Sequence, residues 1–294
     1  MAGSQQLAHE AVAGFAKGEL YDQYRPSYPP EAVQTFLEAL NVAGVDNNEK
    51  VILDLGAGTG KFTELLAARE ENFKVIAVEP HGGMRQELAK KALPGVTIKD
   101  GLASSIPLQD GSIDAVVAAQ SFHWFADLDS LKEIHRVLKP DGTLGMIWNV
   151  EDYNQCRDHK STTTWESKLQ DMVWAQPYDK PRFRHGKWRD VFEDQVKSTP
   201  FSILSSADPL FTLPLGEQEF KWTVRLKREE IWKRFRTLGQ IAVLEGEKLD
   251  EVKTRFELFI SNEEEEETGE GAIPLHGVTF LAWTSKVPDY VPPP

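Results

Sequence analysis

The sequence is short of cysteine, of positive charge and of long apolar runs, and each shortage removes a class of function. Cys156 is the single cysteine in 294 residues, so an internal disulfide framework is excluded and a reducing compartment is expected. No stretch approaches the roughly 18 consecutive apolar residues that a transmembrane helix requires. The opening Met-Ala-Gly-Ser-Gln-Gln lacks the apolar run of a signal peptide, which makes the cytosol the expected compartment. A formal net charge of −13 argues against a general attraction to nucleic acid or to an anionic membrane. No residue spacing suits a metal, and neither a nucleophile elbow nor a Ser-His-Asp order stands out. What is present, 40% hydrophobic and 27% charged residues, suits one large domain or a domain with a substantial insertion.

Apolar periodicity organises the first half of the chain. Three prolines make Tyr24-Arg25-Pro26-Ser27-Tyr28-Pro29-Pro30 an extended or turning segment. Val33, Phe36, Leu37 and Leu40 then carry the spacing of one buried helical stripe. Strands are predicted at residues 51–55, 74–78, 96–98, 113–119 and 143–148, with helical stripes between them at Phe62/Leu65/Leu66, Met84/Leu88 and Leu131/Ile134/Leu138. Such alternation implies a parallel sheet with right-handed crossovers and helices on both faces. After Asn149 the rhythm gives way to charge and aromatics. Residues 151–240 are read as a mostly helical, substrate-facing insertion with a strand within 211–226, and residues 241–294 as a helix and a strand that complete the core. Residues 1–45 form an N-terminal lid and first helix, and 46–150 the ligand-binding core.

The sharpest signal is Asp54-Leu55-Gly56-Ala57-Gly58-Thr59-Gly60, a strand running into a glycine loop and then a helix. Glycine permits the sharp bend and a close approach of ligand to backbone. The loop lies at the carboxyl end of the first strand, where open α/β sheets bind ligands. A dinucleotide loop would place its third glycine at Lys61. The spacing here is G-x-G-x-G, and the preceding acid suits a ligand bearing an ammonium group better than a pyrophosphate. S-adenosylmethionine carries an ammonium and a sulfonium and no phosphate. Glu79, ending the second strand, can accept hydrogen bonds from both ribose hydroxyls, a feature that dinucleotide enzymes share.

These residues together resemble class I S-adenosylmethionine-dependent methyltransferases. The glycine loop resembles their first motif, Val78-Glu79-Pro80-His81-Gly82-Gly83-Met84 their second, Gly101-Leu102-Ala103-Ser104-Ser105-Ile106-Pro107-Leu108 the segment that passes the adenine, and Arg136-Val137-Leu138-Lys139-Pro140-Asp141-Gly142 the turn before their fifth strand. The similarity covers roughly residues 20–150. Tyr24-Arg25-Pro26-Ser27-Tyr28-Pro29, Gln120-Ser121-Phe122-His123-Trp124-Phe125 and Trp148-Asn149 are similar to a narrower group of small-molecule methyltransferases, common in fungi and their secondary metabolism, that includes trans-aconitate-type and cantharidin-type enzymes. The implied fold is Rossmann-like, with a mostly parallel seven-stranded sheet, an N-terminal lid and a helical insertion after the fifth strand.

The resemblance assigns roles. Gly56, Ala57, Gly58 and Gly60 line the methionine part of the cofactor, Asp54 orients its ammonium, and Glu79 holds the ribose. Pro80, Met84, Ala103 and Ser104 meet the adenine, and Gln120 joins this cofactor set; Met84 reads equally well as helix core. The family more often has an acid where Ser104 stands. Tyr24 and Arg25 close over the cofactor, Arg25 gripping its carboxylate. Tyr28, a lid or core residue, joins His123, Trp124, Trp148 and Asn149 in the acceptor pocket. His123 is either the base that takes a proton from the acceptor or a group that only hydrogen-bonds there. Arg182, Arg184, His185, Lys187 and Arg189 form a basic cluster that either faces an anionic acceptor or lies on a solvated helix face. The expected partner is a small molecule, with neither nucleic acid nor membrane, and the expected assembly a monomer or homodimer. Three functions stay open on these residues: methyl transfer to a carboxylate, hydroxyl or other nucleophile, a rearrangement that uses the bound cofactor without methylation, and noncatalytic binding.

Overall fold

The computed structural model describes residues 27–44, 49–177, 180–194, 209–261 and 272–288. Tyr24, Arg25, the acidic run at 263–267 and the C-terminal prolines lie outside the described residues. The chain divides into two compact units, the larger built from residues 28–149, 181–220 and 279 onward, the smaller from 150–180 and 221–278.

The larger unit begins with α1 (Pro30–Ala39), whose first position is a proline, where no backbone N–H is missed. There follow β1 (Val51–Leu55), α2 (Lys61–Ala67), β2 (Lys74–Val78), α3 (Gly82–Lys90), β3 (Val96–Lys99), β4 (Ile113–Ala119), α4 (Leu128–Val137) and β5 (Leu138–Glu151). Asp127 starts α4 by accepting a hydrogen bond from the Ser130 backbone N–H at 2.8 Å. Later elements are α5 (Thr164–Ala175), α6 (Asp190–Glu193), β6 (Gly216–Lys227), α7 (Arg228–Phe235), α8 (Gly239–Ala242), α9 (Gly246–Ile260) and β7 (Ala272–Ser285). None of the helices among the described residues is long and apolar enough to cross a membrane.

The seven strands are ordered β3-β2-β1-β4-β5-β7-β6, and β3, β2, β1, β4 and β5 pair in parallel. Chain order therefore reverses between β1 and β4, and the carboxyl ends of such strands are where open α/β sheets bind ligands. The expected Rossmann-like, mostly parallel sheet is what the chain builds. Two strands, β5 and the last one, whose apolar run spans 278–283, begin earlier than the periodicity predicts. β5 starts at Leu138, because Leu138 pairs with Ile113 before a register shift carries Thr143 opposite Ala115. β7 extends back to Ala272, since the apolar positions Ile273 and Leu275 pack in the smaller core.

Side chains alternate along each strand. Ile52, Val75, Ala115, Val117 and Ile147 share one face with Phe36, Leu37 and Leu40 at the end of α1 and with Phe62 and Leu66 of α2. Gly145 lies on that same face under Phe36. A β-carbon there would come within 2.5 Å of the Phe36 ring and 2.8 Å of Leu40, so glycine lets helix and strand close up. In the smaller unit, Trp165, Leu169 and Met172 of α5 pack with Ile231 and Phe235 of α7 and with Val252, Phe256 and Ile260 of α9. Buried Glu166 accepts hydrogen bonds from the His276 backbone at 2.7 Å and the Thr163 hydroxyl at 2.7 Å.

Candidate active site

The β1 exit supplies a buried acid and an open loop. Asp54 is fully buried; its Oδ2 accepts the Thr63 hydroxyl at 2.6 Å, while Oδ1 has no hydrogen-bond partner. Burial pushes this carboxyl up to about 7, against the lowering effect of the Thr63 hydrogen bond and with a smaller push from Glu79. Gly56 and Gly58 have φ of +71° and +59°, values that side chains rarely adopt. The two also differ in surroundings. A β-carbon on Gly56 would meet Ser121 at 2.8 Å, whereas one on Gly58 would find only the Met84 sulfur at 3.8 Å. The loop thus packs tightly on β4's exit at one glycine and faces open space at the other.

Glu79 is tied to that loop. Its Oε2 accepts the Gly58 backbone N–H at 2.9 Å and its Oε1 that of His81 at 2.8 Å. Burial raises the carboxyl above its usual range, and the two backbone donors work against that shift. Arg85 of α3 donates to the Glu79 carbonyl at 2.7 Å and bidentately to Asp100 at 3.0 and 2.8 Å, joining the ends of β2 and β3. Beyond β3, Ala103 is buried and Ser104 half-buried in a turn closed by the Leu102–Ser105 bridge. Arg136 of α4 donates to the carbonyls of Ile106 and Leu108 at 3.0 and 2.8 Å, and Glu133 accepts the Ile106 N–H at 2.9 Å. The Arg136-Val137-Leu138 motif therefore steadies the segment after β3 as well as ending a helix.

The β4 and β5 exits form the other wall. Gln120 carries φ +58°, its backbone N–H donates to Ile147 at 2.8 Å, and its side-chain amide donates to the Asn149 carbonyl at 2.8 Å. A non-glycine residue held in that region marks a position that its surroundings over-determine. Asn149 Oδ1 accepts the Thr279 hydroxyl at 2.6 Å. Ser121 donates to the Leu55 carbonyl at 2.8 Å, joining the two exits. His123 sits in a single 3₁₀ turn, Phe122–Trp124, and its Nδ1 accepts the Trp148 indole N–H at 3.2 Å. Trp148 is fully buried, 4.9 Å from the Phe183 ring and 4.7 Å from that of Trp188.

The basic cluster is not one solvated helix face: Arg184 is buried, Arg182, His185 and Arg189 are half-buried, and Lys187 is exposed. The cluster occupies two 3₁₀ turns, Phe183–His185 and Lys187–Arg189. The Arg182 guanidinium lies 4.1 Å over the Trp124 ring, and that of Arg189 lies 4.4 Å over Trp188 and pairs with Glu217. Burial, together with Arg184, Lys187 and Arg182, holds His185 down to about 4. Tyr28 stands apart from this wall: it packs edge-on against Phe62 at 5.2 Å within the core.

A family model described as a methyltransferase domain matches residues 53–146. An uncharacterised methyltransferase-like protein of Schizosaccharomyces pombe is 33% identical over 254 residues, which are 84% of this chain and 93% of that protein. The chain belongs to the methyltransferase family. An uncharacterised methyltransferase of Mycobacterium bovis is 43% identical over 132 residues, 45% of this methyltransferase and 50% of the relative. The match thus spans half the length of that relative. The solved structure of an Anaeromyxobacter dehalogenans protein, assigned as a type II methyltransferase, superimposes with a TM-score of 0.55 at 21% identity over 91% of this chain and all of that one; at that identity the likeness is one of fold.

The donor-side residues fit S-adenosylmethionine. Asp54 Oδ1 is an unpartnered buried acceptor, a β-carbon on Gly58 would touch only Met84, and both oxygens of the Glu79 carboxylate are fixed by backbone donors, a donor set that suits an ammonium and vicinal hydroxyls. The structure brings together Asp54, Gly56, Ala57, Gly58, Gly60, Glu79 and Met84 on this side, and Gln120, His123, Trp124, Trp148 and Asn149 on the other. Pro80 is half-buried at the end of β2. Thr63, Ser121, Arg85 and Thr279 were not anticipated. Each acts through hydrogen bonds set by tertiary structure, one apiece for Thr63, Ser121 and Thr279 and three for Arg85, and single polar residues carry no periodic signal.

Proposed function

We propose that this methyltransferase transfers the methyl group of S-adenosylmethionine to a small molecule, with a carboxylate or hydroxyl oxygen as the favoured acceptor. Bound at the β1 and β2 exits, S-adenosylmethionine supplies a methyl group already activated by the sulfonium, and S-adenosylhomocysteine is the product. Asp54 orients the ammonium through water or a neighbouring amide, Glu79 holds the ribose hydroxyls, and the turn around Ala103 and Ser104 borders the adenine. Alignment is the main catalytic demand, and the hydrogen bonds linking Ser121 to Leu55 and Gln120 to Asn149 hold the donor and acceptor walls in register.

The observation that carries the acceptor class is Arg182 lying over Trp124, one residue from His123. An aromatic floor capped by a guanidinium, in a chain of net charge −13, suits a small anionic or polar molecule better than a polyanion. The test is incubation with S-adenosylmethionine and a panel of carboxylic acids and phenols, followed by detection of S-adenosylhomocysteine and of the methylated product. Arg182→Ala is expected to raise KM for acids more than for neutral acceptors. Consumption of an acceptor without S-adenosylhomocysteine would favour a rearrangement, and no turnover across the panel would count against a small-molecule acceptor.

A further inference from the structure

His123 has been left with two roles, base or hydrogen-bonding group, and its contact with Trp148 separates them. An indole N–H can only donate. Since it points at Nδ1 from 3.2 Å, Nδ1 must present its lone pair. A neutral imidazole has one such lone pair, so its proton sits on Nε2 and no second lone pair is left to take a proton from an acceptor. Protonating Nδ1 would set two N–H groups against each other in a buried site. Nor can Trp148 swing aside: it is fully buried, packed by Phe183, Trp188 and, at 6.2 Å, Phe280.

Charge reaches this aromatic cluster from other elements. On the turn that carries His123, Phe122 and Trp124 bring no charge, and on β5 Trp148 and Asn149 are neutral. From residues 182–189 the same aromatic cluster receives Arg182 over Trp124 and Arg189 over Trp188 and Phe280. Arg184 is buried beside them in sequence, and Glu217 is paired with Arg189. His185, held down to about 4, does not compete as a titrating group near neutral pH.

We propose that Trp148 is a positioning residue that fixes His123 as the neutral tautomer protonated on Nε2, so that His123 is not the base that takes a proton from the methyl acceptor. This rests on the reading of the β4 and β5 exits as the acceptor side. The consequence narrows the two oxygen classes proposed above: the site selects a carboxylate, whose lone pair is already free at neutral pH, over a hydroxyl that must first lose its proton.

The experiment is NMR of the full chain labelled with ¹⁵N-histidine, titrated between about pH 5 and 8, the range in which an ordinary imidazole changes charge. His123→Asn assigns its signals among the seven histidines. In the native chain His123 is expected to keep the pattern of a neutral ring protonated on Nε2, while Trp148→Phe lets it titrate. A native His123 that titrates through this range, or that carries its proton on Nδ1, overturns the proposal. Should Trp148→Phe fail to fold, the native chain serves by a second route: His123→Asn is expected to shift one of the eight tryptophan indole N–H signals, and the absence of any shift overturns it too. S-adenosylmethionine added to the same samples reads the donor site separately, so a failure there strikes the proposed function and leaves the state of His123 measured.

Discussion

At the scale of residues, the donor site depends on two carboxylates that burial treats alike and partners treat differently. Glu79 has backbone donors on both oxygens, so it is pre-aimed. Glu79→Ala should weaken S-adenosylmethionine binding by about 10- to 100-fold, the range for one or two hydrogen bonds to a charged group, and Glu79→Gln by less; calorimetric titration measures both. Asp54 is the pH-sensitive one. Its carboxyl is raised from 3.8 to about 7, so its contribution to the stability of the unliganded protein is full below pH 4 and lost as pH rises through 7. Binding an ammonium demands the ionised form, so affinity should climb with pH, by up to about tenfold per unit, and level off above 7. Asp54→Asn should bind weakly with a flat profile. These acids were legible because each interrupts or ends an apolar run, Asp54 two residues ahead of Gly56 and Glu79 directly ahead of Pro80. Thr63, which holds Asp54, was not: its hydroxyl gains meaning only once α2 folds back over β1.

At the scale of elements, strands buried on both faces read clearly, and half-exposed ones did not. Val51–Leu55 and Ile113–Ala119 appear in the sequence at their observed limits because continuous burial writes a continuous apolar run. β6 alternates between half-buried and exposed positions, carrying Glu217, Glu219, Lys221 and Arg225, and its charges masked its limits. Ile231, Phe235, Leu238 and Ala242 carry the spacing of one helix, yet the chain there forms α7 and α8, with the Thr237 hydroxyl turned back onto the Arg234 carbonyl at 2.6 Å between them. The fit of α1 on β5 gives a direct test. Gly145→Ala should cost about 1–3 kcal/mol through overpacking against Phe36. Adding Phe36→Leu should cost less than the two losses summed, by about 0.5 kcal/mol or more; urea midpoints read the coupling.

At the scale of the whole molecule, the change of rhythm at Asn149 marks where the chain leaves the larger unit, and the sequence shows it. The return of residues 181–220 to that unit was hidden, since aromatics and arginines look the same whether they cover a sheet edge or stand on a separate helix. Saturation with the methyl donor should stabilise the whole chain: about 2.7 kcal/mol at 100 times Kd, a rise of several degrees in Tm. NADH or flavin mononucleotide should leave Tm unmoved, and a dinucleotide that raised it would return the glycine loop to the phosphate-binding reading. The stack of Arg182 on half-buried Trp124, beside the Trp148–Trp188 pair, also has a practical use. An indole under a guanidinium emits according to how that cation sits, so a molecule that draws Arg182 away changes the fluorescence. The Arg182–Trp124 stack thus carries its own dye, and compound libraries can be screened optically for molecules that move the guanidinium before a single turnover has been detected.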